Sequence, residues 1–64
     1  MGLFEIEVEI KIGPPGIPHP TNWRESVTVI EDSAFLANMV AIEKIAARLN
    51  IDTFDLSIIR TTAV

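Results

Sequence analysis

The chain has 64 residues, nine acidic against five basic side chains, one histidine and no cysteine, for a formal net charge of −4. That length allows one domain at most. The absence of cysteine excludes disulfides, and one histidine without cysteine argues against a structural zinc site within a single chain.

With no basic cluster, nucleic acid and anionic membranes are poor partners. No apolar run approaches the roughly 20 residues of a membrane span, because Glu43 and Lys44 interrupt the longest one. Gly2-Leu3-Phe4 leads straight into alternating residues, so no signal peptide is expected. A soluble cytoplasmic protein is the expectation. Apolar residues make up 48 % of the chain. Below roughly 70–80 residues a single core rarely supplies more than a few kcal/mol. The apolar surplus is therefore expected to be buried against another chain, in a homo-oligomer of two or more copies.

Residues 3–12 alternate without a fault. Phe4, Ile6, Val8, Ile10 and Ile12 fall on one face and Glu5, Glu7, Glu9 and Lys11 on the other. This period of two predicts a strand with one buried and one wet face, about 33 Å long. The glutamate ladder reads as a solvated face. Its members stand about 7 Å apart, too far to share a metal ion without help from another chain.

Residues 13–23, Gly-Pro-Pro-Gly-Ile-Pro-His-Pro-Thr-Asn-Trp, carry all four prolines. They forbid helix and a central strand position. Pro15-Gly16 suits a type II turn, and each residue before a proline is pushed to extended values. The segment is expected to be a stiff loop. Residues 24–31 then read as a second strand, with Val27 and Val29 inward and Ser26, Thr28 and Ile30 outward.

The one long helical signal runs from Glu31 to Asn50. Asp32 or Ser33 can cap its start, Lys44 and Arg48 suit its later turns, and Asn50 suits a left-handed stop. At 100° per residue, Phe35, Met39, Ile42, Ala46 and Leu49 form a stripe expected to meet the sheet. Leu36, Val40 and Ala47 form a second stripe, with Glu43 between the two, and Ala37 and Ala41 fall on the far side. A small sheet covers one stripe, so Leu36, Val40, Ala47 and Glu43 are the expected oligomer interface. Residues 53–61 alternate again and give a third strand, with Phe54, Leu56 and Ile58 inward. The resulting fold class is α+β, in the order β-loop-β-α-β. Placing the first strand between the others gives a three-stranded antiparallel sheet in order 2-1-3, with the helix across one face.

No catalytic motif stands out. Gly13-Pro-Pro-Gly16 lacks the N–H groups needed to cradle a phosphate. His19 is the one side chain with a natural pKa near neutrality, and it has no evident partner nearby in sequence. Trp23 either covers an end of the core or offers an aromatic platform. The expected function is a small non-enzymatic assembly or interaction protein. It would self-associate through its helix and present the proline-rich loop, with Ile17, His19, Asn22, Trp23 and Arg24, to a partner. The alternative is a binder that sequesters a nucleotide or metabolite between subunits near that loop, with Arg24 on the anion and Trp23 stacking. No cofactor or metal is expected, and an enzyme built at a subunit interface from His19 and glutamates ranks last.

Overall fold

The computed structural model describes residues 1–12, 16 and 23–64. Strand β1 (Gly2–Ile10) is followed by β2 (Arg24–Glu31), helix α1 (Ala34–Leu49), a single 3-10 turn (Thr53–Asp55) and β3 (Leu56–Ala63). The three strands form one sheet in the order β2-β1-β3, and β1 is antiparallel to both neighbours. The α+β architecture and the strand order agree with the sequence reading.

Alternation in β1 places the core. Ile6, Val8 and Ile10 are buried, and each side chain of that kind contributes about 1.5–3 kcal/mol when fully buried. Val29 from β2 and Leu56 from β3 flank them, and Ala37, Ala41, Ile45 and Ala46 cover them from the helix. Phe4, Trp23, Val27 and Ile58 pack around this centre while half-buried. Lys11 and Ile12 leave the strand. Ile12 is 62 % exposed, so the inward series stops at Ile10.

Both ends of α1 are closed by local chemistry. Ser33 is the N-cap, and its hydroxyl accepts a hydrogen bond from the Leu36 N–H. Asn50 adopts φ 56°, the left-handed conformation of a helix stop, and its N–H is donated back to Ala46 and Ala47. Gly16 also has a positive φ, 79°. That is the value the third position of a type II turn requires, and it fits glycine without strain.

The helix is rotated relative to the sequence expectation. Phe35 is 71 % exposed and Met39 46 % exposed, whereas Ala37 and Ala41 are fully buried. The reason is volume. The sheet already fills the interlayer space with β-branched side chains, so close approach demands small residues on the helix side. Ala37 and Ala41, four residues apart, meet that demand, and Ile45, four further on, continues the same buried row. Two polar contacts accompany this orientation: Arg48 forms an ion pair with Glu25 of β2, and the Thr61 hydroxyl of β3 donates to Asn38 Oδ1 at 2.5 Å.

The third strand starts later than its alternation suggests. Asp52 caps the turn by accepting from the Phe54 N–H at 3.0 Å, and Phe54 points into solvent instead of the core. A bulge interrupts β3. Arg60 lies opposite Glu7 and Ile58 opposite Val8, which leaves Ile59 unpaired. Beyond the bulge Thr61, not an apolar residue, faces α1.

Candidate functional site

Among the described residues, an apolar surface is concentrated on α1 and the turn that follows it. Phe35, Leu36 and Met39 emerge from the first half of the helix, and Phe54 stands beside them, 89 % exposed. Met39, Ile42, Glu43, Thr53 and Phe54 enclose an open cleft of about 290 Å³. The cleft exists because two local signals converge. Spacings of three and four residues align Phe35, Met39 and Ile42 on one flank of the helix, and the Asp52 cap turns the chain so that Phe54 lies against it. Its walls are apolar, with the Glu43 carboxylate at the rim. Such a surface favours desolvation of another apolar surface over proton transfer.

The four residues expected at an oligomer interface lie on this side of the helix or next to it. Leu36 is 41 % exposed, Ala47 and Glu43 are exposed, and Val40 is half-buried against the edge of the core. Sequence reasoning missed Phe35, Met39 and Phe54 as surface residues, having assigned all three to the core. The Asp52-Thr53-Phe54-Asp55 run, with acids on both sides of the aromatic, was the available sign that Phe54 sits in a capped turn.

Of the residues expected to contact a ligand or partner near the loop, Ile17, His19 and Asn22 lie outside the described residues. Trp23 and Arg24 are described, and they diverge. Trp23 packs against the core, and its indole N–H donates to Glu25 Oε2 at 3.2 Å. Arg24 is exposed and lies opposite Glu9, on the sheet face away from the helix. A stacking ring and a guanidinium on one ligand would need both on one side of the strand.

The outer sheet face carries Glu5, Glu7 and Glu9. Glu7 pairs with Arg60 at 3.2 Å. Exposed pairs of this kind contribute at most about 1 kcal/mol. Among the described residues, no group of three or more histidine, cysteine or acidic side chains is placed to hold a metal ion. No helix among them is long and apolar enough to cross a membrane. Compared with protein-family models, curated proteins and solved structures, the chain finds no match.

Proposed function

We propose that this chain is a small non-enzymatic assembly protein that pairs with a second copy of itself through the outer face of α1 and presents its proline-rich segment to another protein. The observation that carries the reading is the exposed Phe35, Leu36, Met39 and Phe54 surface, set against a core of nine buried residues among those described. Isolated apolar side chains on a surface need no explanation, whereas a contiguous group on one flank marks an interaction site.

The occupant is a second copy because the face is self-complementary. Its bulky residues lie in the first half of the helix, and the exposed small residue Ala47 lies in the second. Antiparallel packing about a twofold axis sets Leu36 of each copy over Ala47 of the other, and alanine allows the close approach of 8–10 Å typical of packed helices. The assignment of the 13–23 segment to partner presentation rests on its composition, in which proline lowers the entropy lost on binding.

Sedimentation velocity from micromolar to millimolar concentration tests the reading. Self-association should weaken at least about tenfold when Leu36 and Met39 are both replaced by serine, which corresponds to about 1.4 kcal/mol. A wild-type chain that remains monomeric over the whole range would sink it.

A further inference from the structure

We infer that β2 is a second self-association element: its free edge pairs antiparallel with β2 of another copy, centred on Val27, and extends the sheet to six strands. This inference is independent of the helix contact. It starts from hydrogen-bond parity. The Ile10 N–H donates to the Trp23 carbonyl at 2.9 Å, and β1 and β2 run antiparallel in continuous register. In such a ladder every second residue turns its backbone N–H and C=O toward the neighbour. Trp23, Glu25, Val27, Val29 and Glu31 therefore face β1. Arg24, Ser26, Thr28 and Ile30 turn theirs outward, where no other strand lies among the described residues.

The two edges of this sheet differ. On β3 the bulge at Ile59 breaks the repeat, a common device against edge-to-edge pairing. β2 has no bulge, proline or lysine over its eight residues, and Ile30 is 60 % exposed on it. It is a regular template of four outward residues, and another extended strand is the chemistry that fits it.

Charge and register select a second copy. Only residues that both face outward can exchange hydrogen bonds, and of the twofold registers this allows, those centred on Val27 or Thr28 give the longest overlap of the eight-residue strand, seven residues each. Centring on Thr28 places Glu25 opposite the partner's Glu31, an apposition of like charges. Centring on Ser26 shortens the overlap. Centring on Val27 uses all four outward residues. It sets Ser26 opposite Thr28 and Arg24 opposite Ile30, apposes no like charges, and buries the half-exposed Val27 against its own counterpart. The two helices then lie on one face with axes about 14 Å apart, three strand spacings. Two isologous contacts on different surfaces of one chain build an assembly larger than a dimer.

Amide hydrogen exchange on the full chain, read by NMR, tests the pairing, with sedimentation run on the same samples. The amides of Arg24, Ser26, Thr28 and Ile30 should exchange at least about tenfold more slowly in the associated state than on dilution to monomer. Those of Thr61 and Ala63, which face outward on β3, should stay fast. The same pattern should appear in the Leu36→Ser/Met39→Ser protein, so failure of the helix contact is distinguishable from failure of the strand contact. Thr28→Pro removes an outward donor without removing a bond to β1. It should abolish the concentration-dependent protection of Ser26 while the amides of β1 stay protected. Fast exchange at Ser26 and Thr28 in every sample would overturn the pairing, as would protection that persists in a species sedimenting as a monomer. The wild-type measurement decides the matter even where the proline variant does not fold.

Discussion

Phe35 and Ala37 stand two residues apart on α1, and their environments are the reverse of what their sizes suggest. The ring is 71 % exposed and the methyl is fully buried. Enlarging Ala37 drives atoms into a close-packed interlayer, which costs typically about 1–3 kcal/mol. Ala37→Leu should therefore lower the unfolding free energy by that amount in a urea titration. Phe35→Ser, measured at a concentration where the protein is monomeric, should leave it within about 0.5 kcal/mol, as expected for an exposed site. Equal losses from the two substitutions would mean that the helix presents its other face to the sheet. Ile45 marks the opposite extreme: it is buried and carries much of what the helix contributes to the core.

At the scale of elements, what depends on neighbours in sequence was legible and what depends on volumes across the layers was not. Ser33 and Asn50 follow from local backbone chemistry, and both cap α1 as the sequence suggests. The strict alternation of β1 places Ile6, Val8 and Ile10 correctly for the same reason. The rotation of α1 escaped, because the preference for Ala37 and Ala41 over Phe35 and Met39 arises from side chains already supplied by the sheet. The start of β3 escaped because one Asx contact, from Asp52 to the Phe54 N–H, overrides a period-two pattern that continues through it. These two errors hide three of the four exposed residues of the candidate surface, Phe35, Met39 and Phe54, which the sequence pattern assigns to the core. The cap has a measurable weight. Ser33→Ala should destabilise the chain by about 1 kcal/mol, read as a lower urea midpoint with an unchanged slope. A changed slope would indicate that the loss of the cap frays α1 beyond its first turn.

For the whole molecule, the question is how so small a chain remains folded. Among the described residues, one sheet face is covered by α1, the other carries the glutamate ladder, and the core holds nine buried residues, four of them from α1 and three of those alanine. A second copy on the outer face of α1 would remove Leu36 and Met39 from water and couple folding to association. Mass action then fixes the outcome. When only the associated state contributes the extra burial, each tenfold rise in protein concentration adds about 1.4 kcal/mol per mole of dimer. The urea midpoint of the wild-type chain should climb steadily between micromolar and millimolar samples. Leu36→Ser/Met39→Ser should flatten that climb while leaving the dilute midpoint nearly unchanged, because both side chains are more than two-fifths exposed in the single chain. Serine is the informative replacement. Glutamate would add to a chain already at −4 and would confound lost contact with charge repulsion. A residual climb in the serine variant, abolished by Thr28→Pro, would assign the remaining coupling to the β2 edge. A wild-type midpoint independent of concentration would show that the single chain accounts for its own stability, and the exposed apolar flank would then need an occupant other than a second copy.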